Sequence, residues 1–369
     1  MAKSRTSVSR PPTDATPLLR MAVQAGASDL HLKPGLPPML RHRGRLEPIP
    51  GQPALSTNEV RELIYSVLDD TRRKEWELSR ELDAGLEIRD IGRFRINAYF
   101  DRTGPGAAMR IIPHRVPEYN EIGLPMAVLE LLLAPAGLIL ATGPTGVGKS
   151  TTLACLAATV LRHMPLHVLT LEDPIEFVLP TGQGMVTQRE VGRHTESFAA
   201  ALKRGLRQDP DVILVGEMRD PETITLALTA AETGHLVLAS LHSPDAPGAV
   251  DRIIGALPPG QQAQARVQLA SSLRAILAQT LLPRADGKGR VAAREVLLGT
   301  PAMAALIREA RTHQVYSMIE TSRDVGMQTM EKALCDLVQE GSVTADTAMQ
   351  AALRPQILGN LLNPKAQTR

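Results

Sequence analysis

Eight consecutive residues, Gly143-Pro144-Thr145-Gly146-Val147-Gly148-Lys149-Ser150, carry the clearest chemistry in the chain. Glycines in such a run let backbone N–H groups curl around phosphate oxygens. The lysine reaches toward β- and γ-phosphates, and the Ser150 hydroxyl can ligate Mg²⁺. The flanks supply the required context. Leu138-Ile139-Leu140-Ala141 reads as a buried strand and Thr151–Leu161 as a helix, which makes the strand–loop–helix setting of a P-loop. A plain glycine-rich turn before a helix is the bland reading, and it leaves the Lys149-Ser150 pair unexplained.

Acidic groups follow at the ends of two further apolar runs. Leu169-Thr170-Leu171 leads into Glu172-Asp173-Pro174-Ile175-Glu176, where carboxylates could orient water or hold a metal, or simply form a solvated turn before Pro174. Asp211-Val212-Ile213-Leu214-Val215 leads into Gly216-Glu217. P-loop ATPases commonly place an acidic pair at that point. Here Gly216 takes the first place, so Glu217 is the candidate base, while Ser150, the phosphates and waters hold most of the metal. The structural alternative is a Glu217–Arg219 ion pair. His235 and His242 bracket one apolar run and could sense nucleotide state, or could be packing residues. Arg95, Arg110, Arg204, Arg207, Arg219 and Arg252 sit at strand ends or on polar faces. In ring ATPases an arginine of this kind, supplied by a neighbouring subunit, often completes the phosphate site.

These groups need a scaffold, and 369 residues are enough for two or three domains. Aromatic residues make up only 2%, which argues against a base-stacking nucleic-acid surface. A net charge of +2 supplies no global field for polyanions, so phosphate must be bound locally. Cys155 and Cys335 fit neither a zinc spacing nor a disulfide framework, as expected in a reducing cytoplasm. The basic start, Met1-Ala2-Lys3-Ser4-Arg5, has no apolar run behind it and is not expected to be a signal peptide. The stretch from Val128 to Ala141 contains Glu130 and Pro135 and is too short to cross a bilayer.

The expected organisation is α/β. Residues 1–16 read as a disordered tail and residues 17–113 as a mixed α/β domain. That domain has helices at Leu18–Ala25 and Thr57–Leu68. Its strands are Asp29–Leu32, Met39–Arg43, Gly85–Arg89, Arg93–Phe100 and Gly106–Ile112. Residues 114–121 read as a linker. From 122 to 299 the apolar runs Gly137–Ala141, His167–Leu171, Val212–Val215 and Leu236–Ser240 predict a mainly parallel sheet buried on both faces. Residues 300–369 read as a helical region. Six of the nine aromatics precede the P-loop, which leaves the second domain almost wholly aliphatic.

Taken together, Gly143–Thr151, Glu172–Glu176, Asp209 through Asp220, and Thr229–His235 with Leu241-His242 resemble the Walker A, Asp box, Walker B and His box of the secretion and pilus motor ATPases. Within that superfamily the chain resembles the type IV pilus retraction ATPases. Gly26-Ala27-Ser28-Asp29-Leu30-His31-Leu32 is similar to their opening, and Gly326-Met327-Gln328-Thr329-Met330 to their C-terminal region. The resemblance implies a PAS-like N-terminal domain, a RecA-like P-loop ATPase domain and a C-terminal helical region. It also implies ATP and Mg²⁺ as cofactors. A homohexamer would work on the cytoplasmic face of the inner membrane at the pilus base, against a membrane platform protein and without nucleic acid.

The resemblance assigns roles as well. Gly143, Pro144, Thr145, Gly146, Val147, Gly148, Lys149, Ser150 and Thr151 would bind nucleotide, and Ser150, Glu172 and Glu217 would approach the metal. Glu217 would be the base, supported by Glu172 and Glu176. His235 and His242 would couple nucleotide state to domain motion, and Arg95, Arg110 or Arg252 would complete the site across a boundary. Ala302-Met303-Ala304 departs from the Ala-Ile-Arg usual in retraction ATPases, and the tail before Pro17 is an addition. The zinc tetracysteine and long N-terminal domain of extension ATPases are absent, which favours retraction over a type II secretion or extension motor. An accessory or regulatory pilus ATPase is the alternative from another class.

Overall fold

A computed structural model describes residues 13–42, 44–112 and 115–363. Most of the expected tail, the first residue of the expected linker and the end of the helical region, 364–369, lie outside the described residues. The fold is α/β and divides into two compact units. One holds the residues up to 115 with 176–178, and the other holds 116–175 with 179 onward.

The first unit runs through α1 (Thr16–Gln24), β1 (Asp29–Leu32), β2 (Met39–His42), β3 (Arg45–Pro48), α2 (Thr57–Val67) and α3 (Asp70–Ser79). It ends with β4 (Glu81–Ile88), β5 (Gly92–Asp101) and β6 (Gly104–Ile112). Its six strands form one sheet in the order β3-β2-β1-β6-β5-β4. On β5 the alternation works as the sequence predicts, with Phe94, Ile96 and Ala98 buried between half-exposed Arg93, Arg95 and Asn97. Helix α2 starts at a reciprocal capping box, in which the Ser56 hydroxyl accepts from Glu59 N–H and the Glu59 carboxylate accepts from Ser56 N–H. The core is built on Trp76, fully buried, whose ring meets Phe100 at 4.9 Å and Tyr65 edge-on at 6.0 Å. Packing into this core already includes a residue before Pro17, because Ala15 is buried and its N–H donates to Ser66 Oγ at 3.0 Å.

Two elements here have no counterpart in the sequence reading. Every residue of β3 is exposed, so no alternation marks it. Helix α3 buries Trp76 alone, and its charged residues hide the helical period.

The second unit runs through α4 (Met126–Glu130), β7 (Gly137–Thr142), α5 (Lys149–His163), β8 (His167–Glu172), β9 (Met185–Glu190), α6 (Phe198–Gly205), β10 (Val212–Val215) and α7 (Pro221–Glu232). It continues with β11 (Leu236–Leu241), α8 (Ala246–Gly255), α9 (Pro259–Ser272), β12 (Leu273–Pro283) and β13 (Arg290–Leu298). Helices α10 (Pro301–Arg308), α11 (Val315–Thr321), α12 (Met330–Gln339), α13 (Ala345–Ala351) and α14 (Pro355–Leu362) close the chain.

The seven strands lie in the order β13-β12-β7-β11-β10-β8-β9. All pairings are parallel except β12 with β13. The four expected runs are the four central strands, and β7, β10 and β11 are buried at every residue. Each buried Leu, Ile or Val contributes about 1.5–3 kcal/mol, so this aliphatic centre is a stiff base for anything attached to its ends.

The hairpin β12–β13 and the edge strand β9 were not anticipated. Met185–Glu190 is mostly half-buried and polar, as suits an edge. The helical region is also divided. Met303, Leu306, Ile307, Val315 and Ile319 join the main core, whereas α12 to α14 share a smaller core with Leu282 and Ala293 of the hairpin. Among the described residues, no helix is long and apolar enough to cross a membrane.

Candidate active site

Because the strands around β7 run parallel, their C-terminal ends lie along one edge of the sheet. β7 ends at Thr142 before the glycine-rich loop, β8 at Glu172, β10 before Gly216-Glu217 and β11 before His242. Parallel α/β sheets bind ligands at this edge.

The loop itself is shaped by contacts that exclude side chains. Gly143 has φ 138°, and a Cβ there would lie 2.4 Å from Gln279 O. Gly148, at φ 91°, is the left-handed residue that launches α5. No acidic residue occupies the first turn of α5, so its N–H groups and positive dipole end suit an anion. Gln279 fastens the loop from β12, donating Nε2 to Val147 O at 2.8 Å and accepting from Thr152 Oγ1 at 3.0 Å. Sequence reasoning missed Gln279. Its signal was a polar residue inside the apolar run Ala275 to Leu281.

Lys149 is buried, and its Nζ donates to Gly143 O at 2.8 Å and Pro144 O at 2.9 Å. It also stands 3.5 Å from His242 Nδ1, while His242 Nε2 stands 3.2 Å from Glu217 Oε1. These partners assign the tautomer: Nε2–H faces the carboxylate and the Nδ1 lone pair faces the ammonium. Arg219 Nε approaches the same Oε1 at 2.7 Å. The ion pair between Glu217 and Arg219 that the sequence allowed is therefore present.

β11 holds this arrangement in place. Met218 N–H donates to Ser240 O at 3.0 Å and Ser240 Oγ to Gly216 O at 2.5 Å. Burial would raise the Glu217 carboxyl, but the Arg219 bond and nearby His242 outweigh it, and the group sits below the ordinary carboxylate range. It is ionised at neutral pH. Gly216 is packed tightly, since a Cβ there would meet Leu171 O at 3.1 Å and Glu172 Cα at 3.3 Å.

Glu172 lies on the same edge, its Oε1 accepting from Thr170 Oγ1 at 2.7 Å and Gln188 Nε2 at 3.1 Å. Glu190, buried and also missed, shapes the following loop by accepting from Ile175 N–H at 3.1 Å. Ser150 is exposed at the start of α5. Among the described residues no three His, Cys, Asp or Glu side chains gather as a metal cage, so Glu172 and Glu217 are not part of one. One hydroxyl and one ionised carboxylate still suit Mg²⁺, which takes most of its ligands from phosphate and water.

The remaining expected residues are dispersed. His235 stands at the opposite end of β11, about 23 Å from His242 at ordinary strand rise. Its Nδ1 faces Ala230 O at 3.1 Å, closing the turn between α7 and β11. Arg252 is exposed on α8 and lines a cleft of about 280 Å³ with Met218, Arg219, Ile224 and Leu241. Arg204 and Arg207 line a separate cleft with Lys203 and Glu222. Arg95, 3.9 Å from Asp83, and Arg110, 3.0 Å from Asp29, belong to the first unit, as does Glu176.

The chain is similar to known proteins over most of its length. The profile of a family described as type II/IV secretion system protein matches residues 13–352. The chain is 45% identical over 343 residues to the type IV pilus retraction ATPase PilT of Pseudomonas aeruginosa, covering 93% of this chain and 99% of that one. It is also 45% identical to a twitching motility protein of Neisseria gonorrhoeae over 85% of this chain and 84% of that one. A crystal structure of the pilus retraction motor PilT with bound ADP superposes with a TM-score of 0.87 at 41% identity, covering 95% of this chain and all of the other.

Proposed function

This chain belongs to the type II/IV secretion system protein family, and we propose that it is an ATP-hydrolysing motor that powers retraction of type IV pili. The observation that carries the reading is the line Lys149–His242–Glu217 at the mouth of the P-loop, in a chain similar to a retraction ATPase over nearly its whole length.

The chemistry follows from the groups present. The loop N–H groups and Lys149 would hold the phosphates, and the Ser150 hydroxyl would ligate Mg²⁺. Mg²⁺, when bound, neutralises charge on the β- and γ-oxygens. Glu217, ionised and partly buried, accepts a proton from a water that attacks the γ-phosphorus, and the bond to the β-phosphate oxygen breaks to leave ADP and phosphate. His242 touches both the phosphate-binding lysine and the base, so the state of one is felt by the other.

The motor acts as a homohexamer on the cytoplasmic face of the inner membrane, pulling on a membrane platform protein, with residues 114–121 as the joint between its domains. Lys149→Ala or Glu217→Ala abolishes ATP turnover, and full activity in either variant sinks the assignment. In the source organism, loss of the gene leaves cells with pili but without twitching; cells without pili would point to extension instead.

One observation favours a second reading, an accessory ATPase. At position 304, where retraction ATPases usually carry arginine, the structure has a half-buried Ala304 on α10. Tight ATP binding with turnover at background would select it.

A further inference from the structure

At the starts of α14 and α8, beside α12 and β13, one guanidinium lies near three carboxylates. Glu331 of α12 and Glu295 of β13 are fully buried, and Asp245 caps α8 by accepting from Gly248 N–H at 2.9 Å. Arg354 reaches two of them with its fork. Nη2 lies 3.5 Å from Asp245 Oδ2 and Nη1 lies 3.8 Å from Glu331 Oε1. Its plane covers the Tyr316 ring at 3.8 Å. Glu331 is held further by the Arg354 backbone N–H and the Tyr316 hydroxyl, each donating at 3.0 Å.

This cluster grips the turn that follows His242. Asp245 is three residues beyond that histidine. Ser243 Oγ donates to Asp245 O at 3.1 Å, and Ala246 N–H donates to Glu295 Oε1 at 2.8 Å. A buried carboxylate such as Glu331 is costly to hold and adds little net stability even when paired. Arginine is the residue suited to bridge two acids with fixed geometry, which a lysine cannot do.

The geometry points to Arg354 as a positioning residue for ATP hydrolysis: by clamping Asp245 toward Glu331, it sets the turn that aims His242 between Lys149 and Glu217. The C-terminal helices are thereby connected to the hydrolytic edge. The inference rests on the reading of that edge given under the proposed function.

The test is steady-state ATP hydrolysis by the full chain carrying Arg354→Met, Arg354→Lys, His242→Ala, Lys149→Ala, and Arg354→Met combined with His242→Ala. Misplacing a catalytic group by about 1 Å can cost up to about a hundredfold. Arg354→Met should therefore lower kcat by about tenfold or more while KM for ATP and ADP binding change by less than about twofold. Arg354→Lys should restore part of kcat. The double variant should be no slower than His242→Ala, because both act through one histidine.

A folded Arg354→Met with wild-type kcat, or losses that multiply in the double variant, would overturn the clamp. With Lys149→Ala inactive and His242→Ala slowed, that outcome leaves the active-site reading standing. Unimpaired His242→Ala overturns the role of His242 and the clamp with it. If Arg354→Met does not fold, Asp245→Asn keeps the helix cap but removes the charge, and the same split between kcat and KM decides.

Discussion

The two edges of the second sheet use similar residues in opposite ways. At the edge where strands end, Lys149, His242, Glu217 and Arg219 form one side-chain line, anchored by Lys149 on the loop carbonyls of Gly143 and Pro144. At the edge where strands begin, side chains bond mainly to backbone. His235 Nδ1 faces Ala230 O, His167 Nδ1 faces Asp209 O at 3.2 Å, and Asp211 accepts from His167 N–H at 2.7 Å. Those groups close turns. A histidine bonded to a carbonyl closes a turn, whereas one held between a lysine and a carboxylate links two groups that can do chemistry.

The largest expected effect tests the chemical edge directly. Glu217→Gln should lower kcat by roughly 10²–10⁴-fold while ADP binding persists, because proton acceptance is lost and shape is kept. Lys149→Ala should bring turnover to background and weaken nucleotide binding too; turnover and ADP titration together separate the two variants.

The sharpest contrast comes from the paired histidines. His242→Ala should slow hydrolysis by about tenfold or more. His235→Ala should act mainly on stability, lowering it by about 0.5–1.5 kcal/mol through a lost turn bond, with a far smaller effect on turnover. Equal kinetic losses at the two positions would erase the distinction between the edges.

A third comparison sets Glu295 against Glu217 on the chemical edge. Glu295 is opposite Ala278, which in turn pairs with Thr142 at the end of β7. Burial pushes its carboxyl up to about 7 from an ordinary 4.5, against the pull of the Ala246 N–H bond. The folded protein therefore holds a proton that the unfolded chain releases. Its contribution is fully present below pH 4.5, declines as pH rises toward about 7, and is gone above that. Glu295→Gln cannot lose this proton. It should flatten that decline and raise stability at pH 8 by on the order of 1–3 kcal/mol in denaturant melts.

The smallest effect concerns Arg219, which is two-thirds exposed and so screened by solvent. Arg219→Ala removes a partner that favours the ionised form of Glu217. The acid limb of kcat/KM should move to higher pH, with little change on the plateau.

Legibility in the sequence followed burial. β7, β10 and β11 could be read because both faces are apolar, and the P-loop because its spacing is tied to its function. β9 and β3 could not, since edge strands carry no uniform pattern. The hairpin β12–β13 was hidden behind α9, whose end runs directly into β12 at Leu273. At the site, the residue types were legible but their partnerships were not. Glu217 and His242 meet only because β10 and β11 pair in one register and Met218 N–H finds Ser240 O. Gln279 comes from an element the sequence had not revealed at all.

The aromatic core of the first unit has a practical consequence. Trp76 is the only tryptophan in the chain, and it is fully buried with no hydrogen-bond partner for its indole N–H among the described residues. Its fluorescence is therefore a built-in optical label on one unit. Blue-shifted emission reports that the first unit is folded, while the second unit is silent at the same wavelength. Melting followed by tryptophan emission and by circular dichroism can assign the order in which the two units unfold, without attaching a dye.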